Sequence, residues 1–254
     1  MIIPKTTSPQ EKKPKSESTE KLFIKDHLRD LARVFYVWLA FFIIGTALGY
    51  IKYSALLSWL VKPLGKPLFY TSPIGGFEAV FKVSALFGFA ISLPVLIYQL
   101  IKFIEPVSEK LSGKKIYIYP LASFILAIGG VLVSYYLVFP ASLNFLAKFG
   151  SGQLEALIST SEYFSYVTRY LVGFAVLFQL PLIIYLASLF HDISPKLLIS
   201  KFRYIFTFSF VIAAILTPTP DLVNQTIMAA PIIFLYVITI LILLIKKVIV
   251  NHHG

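Results

Sequence analysis

The chain contains no cysteine, so disulfides and thiolate chemistry are excluded, and the redox compartment is left undetermined. Charge is also scarce. Only 14% of the 254 residues are charged, against about a quarter in soluble domains. The four histidines stand at positions 27, 191, 252 and 253, all outside the apolar runs. No HExxH, no Gly-x-Ser-x-Gly and no pair of aspartates within an apolar run occurs. These absences count against an intramembrane enzyme, and no catalytic residue, metal site or cofactor is expected. The first residues hold no apolar core with a cleavage site, so a cleaved signal peptide is not expected.

What is present is apolar. Hydrophobic residues make up 57% of the chain and mean hydropathy is +0.81, which identifies an all-α integral membrane protein. Six runs are candidate spans: Val34 to Tyr50, Phe77 to Phe103, Ile116 to Phe139, Tyr163 to Leu189, Tyr204 to Thr217 and Thr226 to Ile245. The fifth holds only fourteen residues, short for a hydrocarbon layer of ~30 Å, which predicts local membrane thinning. Residues 1–21 are rich in Lys, Ser, Pro, Glu and Thr, the composition of a disordered tail. Residues 22–247 form the membrane domain, and 248–254 a short second tail.

The net charge of +11 could suggest nucleic acid, but its placement follows the membrane. Eight Lys or Arg precede the first span, four lie in 102–115, three in 191–203 and two at Lys246 and Lys247. The other side holds Lys52, Lys62, Lys66 and Lys148. Seventeen against four predicts six helices with both termini in the cytoplasm, and no nucleic-acid partner.

Several positions carry chemistry. Leu22 to Arg33 reads as a short amphipathic helix with Ile24, Leu28 and Leu31 on one stripe. Glu78 and Lys82 stand four apart in the order that favours a helical ion pair. Arg169 lies toward the outer interface, where it is expected to snorkel. Gln179 falls in mid-span, so it must either bond to a neighbouring helix or face a watery hollow. Asp221 follows a proline-rich turn and suits a helix cap. Pro94, Pro120, Pro181 and Pro231 are expected to kink or end helices, giving a concave bundle. The second run ends in Phe103-Ile104-Glu105-Pro106, with Glu109 beyond, leaving carboxylates on a turn beside lipid.

In order, the chain carries His27-Leu28-Arg29-Asp30-Leu31, then Ser72-Pro73 with Lys82 and Ser84. Pro94-Val95-Leu96-Ile97-Tyr98-Gln99 and Phe103-Ile104-Glu105-Pro106 come next, followed by Phe139-Pro140 and Phe178-Gln179-Leu180-Pro181. Thr217-Pro218-Thr219-Pro220-Asp221 with Asn224-Gln225 completes the series. From about Leu22 to Ile245 this order resembles the TatC family of twin-arginine protein translocase subunits. Three departures are visible. The family pattern His-Leu-x-Glu-Leu-Arg has Asp30 and Ala32 at its last acidic and basic positions here, with Arg33 one place late. In the first cytoplasmic turn the family usually has Leu-Tyr-x-x-Glu before basic residues. Here Ser108-Glu109-Lys110-Leu111-Ser112 stands there. Ser112 therefore falls on the expected acid, with Glu109 as its substitute and Glu105 in reserve. The family often has glutamate where this chain has Gln179.

The resemblance implies a receptor for signal peptides bearing two arginines, exporting folded proteins with the proton-motive force from the inner membrane or its organellar counterpart. It implies single-span TatA- or TatB-type partners, surrounding lipid and a homo-oligomeric state, and no covalent catalysis. Asp30, Phe103, Glu105, Pro106 and Glu109 are the expected peptide contacts; Gln179, Asp221 and Gln225 are the expected intramembrane polar or partner contacts. A small secondary transporter or channel subunit is the competing class. It would call for paired hydropathy repeats or charged broken helices, and no convincing repeat is visible.

Overall fold

The computed structural model describes residues 16–104, 117–148, 157–190, 193–217 and 221–252. Helix α1 runs Ser16–Ile51, beginning within the stretch whose composition reads as a tail. The connection between the first two spans contains α2, Tyr53–Val61, and a 3-10 turn, Lys62–Leu64. Helix α3 is Gly75–Ile104, α4 Ile118–Val133 and α5 Phe139–Leu146. Helices α6, Thr160–Leu177, and α7, Leu180–Phe190, form one broken span. Helices α8, Pro195–Leu216, and α9, Leu222–His252, complete the chain. Six segments are long and apolar enough to cross a membrane.

The interface between α1 and α3 is built on small residues. A Cβ added at Gly45 would sit 2.8 Å from the Gly88 Cα, and one at Gly49 would sit 2.8 Å from the Ser84 carbonyl oxygen. One added at Gly88 would meet the Thr46 amide nitrogen at 2.6 Å and the Phe42 carbonyl at 2.7 Å. Lipid gives helices no hydrophobic reason to associate, so close backbone approach across such small residues supplies the packing. Gly130 does the same for α4 against α6, where a Cβ would lie 2.5 Å from the Phe174 carbonyl.

Two features depart from the sequence expectation. The third span does not end before Pro140. A π-helical turn at Ser134–Val138 inserts a residue, and the helix continues as α5 to Leu146. Pro140 then falls directly after the π turn, whose altered hydrogen-bond ladder accommodates a residue with no amide hydrogen. The fifth span is not short either. Helix α8 begins inside the polar stretch, at Pro195, capped by the Ser194 hydroxyl, which accepts from the Leu197 amide at 3.2 Å. It is 22 residues long, enough for ~30 Å at about 1.5 Å per residue. Pro120 sits in the first turn of α4 and produces no break. Pro181 does interrupt its span: α6 ends at Leu177, and α7 restarts at Leu180.

Helix α2 is held down by tyrosines of two spans. Tyr135 donates to the Trp59 carbonyl and Tyr163 to the Leu60 carbonyl, each at 2.6 Å. Tyr135 also stacks on Trp59 with ring centroids 3.9 Å apart. The connection after the first span and the one before α6 touch through an isolated parallel bridge between Phe69 and Ser159.

Candidate functional site: a groove at the ends of the first two spans

Helices α1 and α3 run antiparallel, with Gly45 against Gly88 and Gly49 against Ser84. Carrying that register fifteen residues toward the other end brings position 30 opposite position 103. There a groove of about 400 Å³ is lined by Asp30, Arg33, Val34 and Val37 from α1 and by Gln99, Lys102 and Phe103 from α3. Asp30 is exposed, and its carboxylate forms no ion pair with Arg33. Arg33 borders the groove beside Asp30 despite its shifted place in the motif. Val34 is 6% exposed and with Val37 makes one wall apolar, while Phe103 is half-buried. Among the described residues the groove therefore offers one carboxylate with no ion-pair partner, an aromatic face and an aliphatic wall. Glu105, Pro106 and Glu109 lie outside the described residues.

The structure separates the other expected residues from this groove. Gln179 is 3% exposed at the break between α6 and α7. Its Oε1 accepts from the Ser123 hydroxyl at 2.8 Å, and its Nε2 donates to the Ser123 and Ala175 carbonyls at 3.3 and 3.2 Å. Of the two sequence readings, the interhelical bond is the one these surroundings supply. If so, Gln179→Leu should cost ~1 kcal/mol of stability and leave transport per folded molecule unchanged. Gln179→Glu should do worse, because it exchanges the Nε2 donor for an oxygen facing two carbonyls. Thermal unfolding and transport normalised to folded protein check both; a transport defect in the leucine variant would contradict this reading.

Asp221 caps α9 as expected, accepting from the Asn224 amide at 2.7 Å. The Asn224 side chain also donates to Asp221 at 3.0 Å. Asn224 in turn accepts from the Ser142 hydroxyl at 2.7 Å, and Ser142 bonds the hydroxyls of Tyr166 and Tyr170. This network ties α5, α6 and α9 together at the end of the bundle away from the groove. Gln225 is half-buried, and its amide donates to the Asp221 carbonyl at 3.2 Å. The sequence reading missed Ser142, Tyr166, Tyr170 and Ser123. The only visible signal was hydroxyls inside otherwise apolar spans, where a polar group needs an internal partner.

A six-span helical bundle with an open, charged groove at one end of spans one and two is the frame of a polytopic receptor. The comparisons place it among protein translocases. The family model described as Sec-independent protein translocase protein (TatC) matches residues 26–231, and the chain belongs to that family. The Sec-independent protein translocase protein TatC of Helicobacter pylori (strain ATCC 700392 / 26695) is 33% identical over 219 residues, covering 86% of each chain. That of Carboxydothermus hydrogenoformans is 27% identical over 220 residues, covering 85% of this chain and 90% of the other. A crystal structure described as the twin arginine translocase receptor TatC superposes with a TM-score of 0.76 at 31% identity. It covers 85% of this chain and 99% of that one. The likeness is to a protein-translocating subunit, not to a small-solute transporter or channel.

Proposed function

We propose that this chain is the receptor subunit that binds twin-arginine signal peptides at the Asp30–Phe103 groove. The observation that carries the reading is that the glycine-set register of α1 and α3 presents Asp30 and Phe103 on one open groove. A guanidinium fork makes two parallel hydrogen bonds to one carboxylate, so paired arginines call for paired acids. Asp30 supplies one; Glu109, with Glu105 in reserve, supplies the other. Pro106, which has no amide hydrogen to give a helix, is proposed as part of the same contact surface. The aromatic ring of Phe103 suits the planar guanidinium, and Val34 and Val37 suit an apolar peptide segment beyond the arginines.

Bound precursors then cross as folded proteins, driven by the proton-motive force, in a homo-oligomeric assembly with single-span TatA- or TatB-type subunits. Asp221 and Gln225, at the opposite end of the bundle, contribute to contact with those subunits. The chain catalyses no covalent reaction and resides in a cytoplasmic (inner) membrane with both termini inside. The test of recognition is photo-crosslinking from positions 30 and 109 to a signal peptide carrying Arg-Arg or Lys-Lys. Strong adducts with the arginine pair and weak ones with the lysine pair are expected; equal yields contradict the proposal.

The orientation has its own test. A reporter active only outside the cytoplasm should be silent when fused after Lys115 or Lys247 and active after Gly150. Activity after Lys247 would remove the arrangement with both ends inside.

A further inference from the structure

Helix α6 carries two charged side chains that the peptide groove and the polar networks leave unused. Glu162 and Arg169 are both exposed, and neither side chain makes a hydrogen bond or ion pair with another described residue. Seven residues apart, they share one face of the helix, about 10.5 Å apart along its axis. The span Thr160–Phe190 has 31 residues, about 46 Å of helix, so its centre falls near Ala175. In a hydrocarbon layer of ~30 Å, Arg169 lies about 6 Å below the surface at the Thr160 end. Glu162 lies above that surface. Helical side chains lean toward the helix N-terminus, so the guanidinium reaches outward, toward Glu162.

The residues around this pair set what it can hold. Ser165, between them, is already engaged: it donates to the Ser161 carbonyl at 2.7 Å and accepts from Lys82 at 2.9 Å. Lys82 is itself neutralised by Glu78 at 3.1 Å. The local charge therefore sums to zero, which gives a purely anionic ligand no advantage. Two turns deeper on the same face the exposed residue is Val176. From the surface inward the face offers an acid, then a guanidinium, then an apolar surface. A phospholipid with an ethanolamine headgroup presents the complementary order, ammonium outermost, phosphate beneath it and acyl chains below.

We propose that Glu162 and Arg169 form a binding site for a zwitterionic phospholipid, the guanidinium taking the phosphate and the carboxylate the primary ammonium. The guanidinium can grip two phosphate oxygens at once. The carboxylate accepts hydrogen bonds from a primary ammonium, whereas a quaternary choline has none to give. The site is independent of peptide recognition, which lies at the other end of the bundle.

The experiment is native mass spectrometry of the purified full chain in detergent. It is titrated separately with phosphatidylethanolamine, phosphatidylcholine and phosphatidylglycerol of identical acyl chains. The wild type should retain the ethanolamine lipid about fivefold better than the other two, the effect of one solvent-exposed ion pair. Arg169→Gln should lower ethanolamine-lipid retention by a similar factor. Glu162→Gln should abolish the preference over the choline and glycerol lipids. Both positions face outward, so folding is checked by an unchanged thermal midpoint. Should Arg169→Gln fail to fold, Arg169→Lys keeps the charge without the fork and is expected to retain the lipid at an intermediate level. Equal retention of all three lipids by the wild type overturns the proposal. So does a preference that survives in the Glu162→Gln, Arg169→Gln double variant, or a photo-adduct from position 169 in native membranes to a protein helix instead of lipid.

Discussion

Gly88→Leu should cost the protein most of its folded yield, the largest stability effect expected of any single change in the first two spans. An added Cβ at position 88 meets the Thr46 amide at 2.6 Å and the Phe42 carbonyl at 2.7 Å. These are backbone atoms of α1, which cannot rotate away as a side-chain tip would. The helices must separate or slide, and overpacking of this kind costs about 1–3 kcal/mol, occasionally more. Separation also removes the close approach on which association in lipid depends. Gly129→Ala is the matched control, because its Cβ would meet the Phe178 ring only at 3.7 Å. Folded yield and thermal unfolding in detergent are the measurements, and a Gly88→Leu protein that behaves like Gly129→Ala sinks the account. The same substitution should weaken peptide binding in whatever fraction folds, since the crossing sets the register that aligns positions 30 and 103.

That register explains why part of the site was legible in the sequence and part was not. Apolar runs between basic clusters announce spans whatever their packing, because the bilayer imposes the length. Asp30 and Phe103 were visible as polar and aromatic ends of two such runs. That Arg33, Gln99 and Lys102 share their groove depends on the crossing at Gly45, Gly49, Ser84 and Gly88, which only the packed helices reveal. Pro140 looked like a terminator because a π turn leaves no composition signal of its own. The start of α8 at Pro195 was hidden for a related reason. Its first turns are polar, and hydropathy marks where a helix enters lipid, not where the helix begins. Gln179 had to be satisfied somewhere, but hydropathy could not identify Ser123 as its partner, 56 positions away.

Asp30→Lys and Glu109→Lys should each strongly weaken binding of a twin-arginine peptide. In Asp30→Lys the groove loses an exposed carboxylate and gains a third cation beside Arg33 and Lys102, so like-charge repulsion adds to the lost hydrogen bonds. At a partly solvated site each lost contact is worth on the order of 1 kcal/mol, more if the bound peptide excludes water. Asp221→Asn provides the comparison at the far end. Asparagine still caps a helix, so α9 should hold, and peptide affinity should stay at the wild-type level even if export fails. Replacing the arginine pair of the peptide by lysines should weaken binding to the wild type, because ammonium groups cannot make the two-pronged bond. Once Asp30 is lysine, that replacement should matter less, since one of the acids that distinguished the pairs is gone. Titration of arginine and lysine peptides against purified, folded variants measures all of these. If affinity is unchanged in both Asp30→Lys and Glu109→Lys, the groove is not the recognition site, and Glu105 becomes the next residue to replace.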